Sequence, residues 1–392
     1  MLSPRSLPAV QEALAEAGVD GWLLYDFRGL NPIAHAMLRL EGMVSRRVLA
    51  WVPSHGTPVA LTHAIEEGPW ARWPREWERR VYLSWRSLEE EVARLVRGKR
   101  VMMEYSPGDA VPVVDRVPAG VLELVRASGA TVVTSGDLVS RFFAVWDDAQ
   151  LASHRRVAEQ LARVAKEAIA RAGALVRRGT AIAEHELMAW IRGRFDAMRL
   201  TTDHGPNVSA GENAANPHYE PSPGAPRLLR DGDVVLVDLW ATEPGGMWAD
   251  QTWMGSIGAP SPKLAAVWTV VRGARDAAIA LLRERAAVGT AVRGAEVDRA
   301  ARRVIEAAGY GAHFTHRTGH SMDARALHGS GPNLDDLETR EERVLVPGVG
   351  FSIEPGVYLP GEFGVRSEVN AYLGVRELVV TPAEIQQDLM VV

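Results

Sequence analysis

The sequence predicts two folded parts in one chain, a small α/β unit over residues 1–145 and an α+β domain over residues 146–392. Three observations predict this. Short apolar runs alternate with helical patterns through the first part. A long helical pattern then opens between Phe142 and Asp148. Beyond it, strand-like runs come in pairs joined by Pro/Gly turns, as antiparallel hairpins do.

In chain order, a helix near 6–17 leads into the strand GWLLY (21–25), then RRVLAWV (46–52) and PVALT (58–62). A helix near 87–97, the strand KRVMMEY (99–105), a helix near 119–128 and ATVVTS complete the first part. The long helix carries Leu151, Val157, Leu161, Val164, Ile169 and Leu175 at helical spacing and stops at Gly179. Thr180 is expected to cap a second helix with Ile182, Leu187, Ile191 and Phe195 on its apolar face. Ser261-Pro262 has the N-cap and first-turn signature of a third helix, and a fourth runs near 295–308 before Gly309.

The hairpins carry the chemistry. DVVLVDLW (233–240) and GMWADQTWMGSI (246–257) flank a turn centred near Pro244, so Asp238 and Asp250, equidistant from it, are expected directly opposite each other on one face. GFSIEPGVYL (350–359) and FGVRSEVNAYL (363–373) flank Pro360-Gly361-Glu362, which sets Glu354 opposite Glu368 in the same way. Carboxylates with Cβ atoms ~5 Å apart in apolar strands repel and are poorly hydrated, so a cation must lie between them. Two such pairs with the glycine-flanked His320 point to hard or borderline divalent metal. Four carboxylates exceed what one ion normally takes from a protein, so two ions sharing bridging carboxylates are inferred. Singly, Asp250 reads as a strand-end aspartate and His320 as a hydrogen-bonded loop histidine; it is their joint occurrence that argues for metal.

Composition is compatible with this reading and removes rivals. The 392 residues are 47% hydrophobic and 24% charged, ordinary for a globular protein, and a net charge of −5 gives no general attraction to nucleic acid or anionic membranes. Without cysteine there are no disulfides, thiolate nucleophiles or cysteine-held zinc. Lys99, Lys166 and Lys263 are the only lysines, which disfavours Schiff-base chemistry. The first twenty residues lack the apolar core of a signal peptide and no run of eighteen apolar residues occurs, so a cytoplasmic protein is expected. Trp70, Trp73 and Trp77 lie among Arg72, Arg75, Arg79 and Arg80, but Pro74, Glu76 and Glu78 interrupt them. Packing or a subunit contact is favoured there over nucleic-acid binding. GSGPN (329–333) is neither a nucleophile elbow nor a phosphate loop.

The order Asp, Asp, His, Glu, Glu within GDVVLVDLW, WADQTW, HRTGHS, SIEPGVY and GVRSEV resembles the pita-bread metallopeptidases: methionine aminopeptidase, aminopeptidase P and prolidase. The match covers residues 150–392, and the preceding α/β unit resembles the proline-specific branch and creatinase. The resemblance implies a pita-bread catalytic domain with two divalent ions per chain, manganese preferred and zinc or cobalt as alternatives. Asp238 and Glu368 would contact both ions, Asp250 one, and His320 and Glu354 the other. It further implies Glu354 as proton shuttle, His218 (NPHYEP) near the scissile bond, and His328 (ALHGSG) steadying the tetrahedral intermediate. Arg366 would support a ligating carboxylate, with Thr252 in a similar part. His204 and His316 are read as structural.

The chain departs from the family at the stretch SMDARALHGSGPNLDDLETREER (321–343), which reshapes a loop beside the substrate; Asp323, Arg325 and Arg340 there are candidates for reading a substrate carboxylate. The expected activity is hydrolysis of the bond preceding proline in Xaa-Pro dipeptides. Aminopeptidase P activity on longer peptides and a catalytically silent pita-bread binding protein are the alternatives. The resemblance also implies a homodimer in which the amino-terminal unit of one subunit reaches the other's site. The loop YDFRGLNP offers Asp26 and Arg28 for a free amine and a free carboxylate, against a plain surface salt bridge or turn.

Overall fold

The computed structural model describes residues 1–392, which divide into two compact units, Met1–Phe143 and Ala144–Val392. In the first, six strands lie in the order Glu78–Tyr82, Val59–His63, Arg47–Pro53, Gly21–Phe27, Arg100–Met103 and Thr131–Thr134. Only Arg47–Pro53 runs against the rest. The helices Leu7–Glu16, Trp85–Val96 and Ala119–Ala127 stand where the apolar spacing predicts them.

Three elements of this unit are not visible as patterns. Asn31-Pro32 starts a helix, Pro32–Met37, with Asn31 Oδ1 accepting from the amides of Ile33 and Ala34. The strand Glu78–Tyr82 sits at a sheet edge, where a charged stretch such as ERRVY pairs without an alternating apolar face. The helix Gly136–Phe142 is too short for periodicity to show. Trp70, Trp73 and Trp77 stack edge to face with ring centroids 5.2 and 5.0 Å apart, while Arg72, Arg79 and Arg80 pair with Glu41, Glu67, and Glu78 and Glu91.

The second unit carries the helices Asp148–Arg177, Glu184–Met198, Pro262–Val288 and Gly294–Ala307. Ser261 Oγ accepts from Leu264 N at 3.1 Å, as its position before proline predicts. Thr180 does not cap the second helix, which begins only at Glu184. Its amide bonds Leu175 O at 3.0 Å and, with Gly179 (φ +69°) bonding Val176 O, closes the preceding helix instead. None of the helices is long and apolar enough to cross a membrane.

Asn207–Ala210, Val234–Ala241, Ala249–Ser256 and Met390–Val391 form one sheet; Ser321–Met322, Gly350–Ile353, Val369–Leu373 and Leu378–Thr381 form another. Val208, Val235, Val237, Leu239 and Trp253 on one face of the first sheet pack with the helices Asp148–Arg177 and Glu184–Met198. The other face carries the acidic residues.

The register of the first hairpin differs from the expectation by two residues. Asp238 faces Thr252 and Asp250 faces Trp240, because the loop centres on Gly245, in the left-handed region at φ +71°, and not on Pro244. A shift of two preserves side-chain parity, so both aspartates stay on one face as diagonal neighbours. In the second hairpin the strands predicted as continuous are each broken in two. Gly350–Ile353 pairs with Val369–Leu373 and Gly356–Leu359 with Phe363–Arg366, in one continuous register that leaves Glu354 and Glu368 facing each other at the seam. Pro355 has no amide to offer there, and Glu354 N turns away to Thr318 O at 2.7 Å.

The core of the first unit encloses Glu104, a fully buried carboxylate that accepts from Trp22 Nε1 (2.5 Å), Asn31 Nδ2 (2.9 Å) and Ser135 Oγ (3.1 Å). Burial outweighs these donors and pushes it up to about 7. Because the folded state holds this proton more tightly than the unfolded chain does, the contribution to stability is complete below pH ~4.5 and is lost as pH rises through 7. Glu104→Gln, neutral throughout, removes the dependence. Its stability deficit against the native protein should shrink by about 3 kcal/mol between pH 4.5 and 8 in urea unfolding, and parallel pH profiles for the two proteins would contradict the assignment.

Candidate metal centre

The acidic face of the hairpin Val234–Ala241/Ala249–Ser256 meets the seam of the second hairpin. Ligand atoms of Asp250, His320 and Glu368 all lie within 4.8 Å of one another, and all three residues are buried. His320 Nε2 is 3.3 Å from Asp250 Oδ2 and 3.7 Å from Glu354 Oε1. Asp238 completes the group as the cross-strand neighbour of Thr252. The five residues read from the sequence as ligands therefore converge.

What holds them is a set of neutral and cationic donors. Arg366 forms an ion pair with Asp238 Oδ2, stands 3.8 Å from Glu368 Oε2, and donates from Nε to Thr252 Oγ1 at 2.8 Å. Thr252 Oγ1 passes its own hydrogen to Glu368 Oε2 at 2.8 Å. Ser352 Oγ donates to Glu354 Oε1 at 2.9 Å and accepts from the amide of His320 at the same distance, which fixes two of the five side chains through one hydroxyl. Asn370 Oδ1 accepts from Asp250 N at 2.9 Å, tying the two sheets together beside the cluster.

Asp250 Oδ1 and Glu368 Oε1 are buried and accept no hydrogen bond. Buried carboxylate oxygens without a donor are costly, and their arrangement with an imidazole nitrogen is a donor set suited to a divalent ion. The charges say the same. Burial, then the neighbouring acids, drives Asp250 and Glu368 well above the ordinary carboxylate range. Burial lifts Asp238 to about 7 despite Arg366. Glu354 is the exception: burial would raise it, but His320, His316 and Arg366 together hold it below the usual value.

His328 stacks against His320 with ring centroids 4.1 Å apart, and the nearby His320, with burial, lowers it to about 3, so the ring is neutral near pH 7. His316 Nε2 lies 2.8 Å from Tyr358 Oη and its Nδ1 2.7 Å from Arg317 O, so both nitrogens are engaged. His218 is exposed on the loop after Gly211–Ala215, its amide bonded to Asn216 Oδ1 and its ring hydrogen-bonded to none of the five. Of the loop candidates, Asp323 accepts from the amides of Arg325, Ala326 and Ser330, and Arg340 is exposed. In the other unit, Asp26 is fully buried and its carboxylate accepts from the amides of Gly29 and Asn31, which makes it the clasp of its loop. Arg28 is exposed in the left-handed region at φ +59°.

Three supporting groups were not singled out in the sequence. Glu184 gathers Ala210 N (2.6 Å), Asn213 Nδ2 (3.0 Å) and Tyr219 Oη (2.6 Å), fastening both ends of the loop that carries His218. The buried pair Arg343–Glu341 holds Ser330 O, Gly331 O and Asn333 N in the 321–343 loop. Asp203 Oδ1 accepts from Trp240 Nε1 at 2.7 Å, next to Asp250. A carboxylate capping a turn across ~30 residues leaves no local pattern, whereas Trp240 two residues after Asp238 was open to a parity argument.

The profile of metallopeptidase family M24 matches residues 156–373. A probable dipeptidase PepE of Mycobacterium tuberculosis is 37% identical over 161 residues, 41% of this chain and 39% of its own length. An Xaa-Pro dipeptidase of Lactobacillus delbrueckii subsp. lactis is also 37% identical over 161 residues, 41% and 40% of the two chains. The match thus spans 39% to 40% of these relatives. Among solved structures, the dipeptidase PepE from Mycobacterium ulcerans is similar with a TM-score of 0.74 and 26% identity, covering 99% of this chain and 97% of that one. An Xaa-Pro dipeptidase from Bacillus anthracis shares the fold at a TM-score of 0.65 and 20% identity, covering 99% of each.

Asp250→Asn removes one of the repelling charges and one ligand together. In chelated protein the variant should be more stable than the native chain by about 1–3 kcal/mol. In protein loaded with manganese the order should reverse, with metal content reduced. Thermal unfolding with and without chelator reads both, and an unchanged order in the two conditions would show that the cluster holds no ion.

Proposed function

The chain belongs to metallopeptidase family M24, and from that premise we propose that it hydrolyses the peptide bond preceding proline in Xaa-Pro dipeptides, as a cytoplasmic homodimer using two divalent ions per chain, manganese preferred. The observation that carries the metal dependence is the buried Asp250–His320–Glu368 group with two carboxylate oxygens lacking any donor. The dipeptide preference rests on the relatives named Xaa-Pro dipeptidase and dipeptidase.

Asp238, Asp250, His320, Glu354 and Glu368 would hold the ions. Bound there, the metal supplies Lewis acidity, polarising the scissile carbonyl and lowering the pKa of an attacking water. Glu354, kept ionised and anchored through Oε1 by Ser352, presents Oε2 to take the proton of that water and return it to the leaving nitrogen. His328, neutral at pH 7, offers an N–H to the carbonyl oxygen as negative charge develops on it. His218, on the loop clasped by Glu184, approaches the substrate next to the scissile bond. Arg366 and Thr252 fix the orientation of Asp238 and Glu368 so that neither has to turn during the reaction. Arg28, exposed at a loop apex, is the group assigned to the product carboxylate, reaching the site from the partner subunit.

Purified protein should hydrolyse Ala-Pro faster than Ala-Pro-Ala and lose activity on chelation; full activity in a metal-free sample would end the proposal. Glu354→Gln should retain metal and substrate binding while kcat falls at least ~100-fold, as expected when a general acid-base group is lost. Arg28→Ala should raise KM for Ala-Pro and narrow the preference over Ala-Pro-Ala at unchanged metal content. A monomer in solution, or an unchanged length preference, removes Arg28 from the mechanism.

A further inference from the structure

Trp240 and Asp250 are direct partners in the hairpin ladder and share the face that carries the acidic cluster. Trp240 is only half-buried, although its neighbours along the strand, Leu239 and Ala241, are completely enclosed. A half-buried tryptophan beside a buried carboxylate group leaves apolar surface at the edge of that group and is not a core residue. Its Nε1 donates to Asp203 Oδ1 at 2.7 Å, which ties the 201–206 loop to the strand and fixes the ring plane. The isolated bridge between Thr201 and Thr242 anchors the base of the same loop on the same strand end.

Asp203 is therefore an acid held at the rim of the cluster. Its Oδ1 takes Trp240 Nε1 and the amide of His204 at 2.9 Å, and the exposed His204 ring places Nδ1 3.3 Å from the same oxygen. Oδ2 has no hydrogen-bond partner in the chain, and no arginine or lysine pairs with this side chain, which keeps 47% of its surface. Asp203 stands close enough for its charge to act on Asp250 and, against the larger opposing effects, on His328. An oriented, unpaired carboxylate oxygen with an aromatic face alongside is a receptor for an ammonium group bonded to a short apolar body.

We propose that Asp203 reads the free α-ammonium group of the substrate and that Trp240 both holds Asp203 in place and packs against the side chain of the substrate's first residue. This rests on the peptidase reading above and deepens it. The site would then select short peptides with an unblocked amino terminus and an apolar or aromatic first residue, and would discriminate against N-acylated ones.

The test uses metal-loaded full-length protein with Ala-Pro, Phe-Pro and N-acetyl-Ala-Pro, following hydrolysis for KM and kcat and calorimetry for binding to Glu354→Gln protein. Asp203→Asn keeps an oxygen for Trp240 Nε1 and so leaves the loop in place, but removes the charge. It should raise KM for Ala-Pro about five- to tenfold, the effect of losing one half-exposed charge-assisted hydrogen bond, with kcat and metal content little changed. Binding of N-acetyl-Ala-Pro should not move, so discrimination between free and blocked peptides should shrink by the same factor. Asp203→Glu should recover part of the loss, and Trp240→Ala should weaken Phe-Pro more than Ala-Pro. Native KM values in Asp203→Asn, or an equal loss for free and blocked peptides, would overturn the proposal. If the native protein hydrolyses none of these peptides the activity reading fails, and calorimetry still decides this one: free and blocked peptides bound equally, or neither bound, would overturn it.

Discussion

Like-charge repulsion inside a dry cleft is the constraint around which the larger unit is arranged. Asp238, Asp250, Glu354 and Glu368 converge with a single guanidinium, that of Arg366, among them. Four carboxylates with one directly ion-paired arginine and little exposure to water cannot all stay ionised. Without further cations, burial and mutual repulsion raise Asp238, Asp250 and Glu368 towards protonation. The sheets nevertheless hold the four together, because each acid pair sits on a hairpin whose other face or flanks are packed in apolar core. Thr252 Oγ1 to Glu368 and Asp250 N to Asn370 then lock one hairpin to the other. Cation uptake and the stability of this unit are thus linked through the same oxygens.

Much of this was legible. Apolar runs closed by Pro/Gly turns placed the strands, Ser261-Pro262 placed a helix start, and the five converging residues followed from hairpin parity and a glycine-flanked histidine. What escaped is what pairwise counting cannot see. The first turn centres on Gly245, whose φ of +71° lets the chain reverse there, so Asp238 faces Thr252 and not Asp250. The strand predicted through Glu354 stops because Pro355 has no amide for the ladder. That same break frees Glu354 N for Thr318 O and turns the carboxylate into the cluster. Thr180 has the composition of an N-cap but is used to finish the helix before it, since three residues still separate it from the next helical turn.

The loops show a second regularity. Each loop that carries a candidate group is fastened by a buried acid: Glu184 for the His218 loop, Asp323 and the Arg343–Glu341 pair for the His328 loop, and, in the first unit, Asp26 for the Arg28 loop. A carboxylate accepts several amides at once, which a loop without a ladder has to spare, and it does so without an apolar core. The same property makes these acids poor candidates for direct contact with substrate, because their oxygens are already engaged. For Asp26 the amides of Gly29 and Asn31 on its carboxylate correspond to the turn reading of its loop, the alternative to a substrate role.

Period two in a strand explains why the metal set tolerated an error that hid its surroundings. A register wrong by two residues leaves every side chain on its proper face, so all four acids and His320 still converge, and any argument from their sum survives. The same error replaces each cross-strand neighbour. With the turn at Pro244, Asp250 appears to face another acid, and Trp240 has no particular relation to the cluster. With the turn at Gly245, Trp240 becomes the immediate neighbour of Asp250 and carries Asp203 with it. Chemistry that depends on which residues share a face can therefore be read from sequence, whereas selectivity that depends on which residue stands beside which requires the register itself.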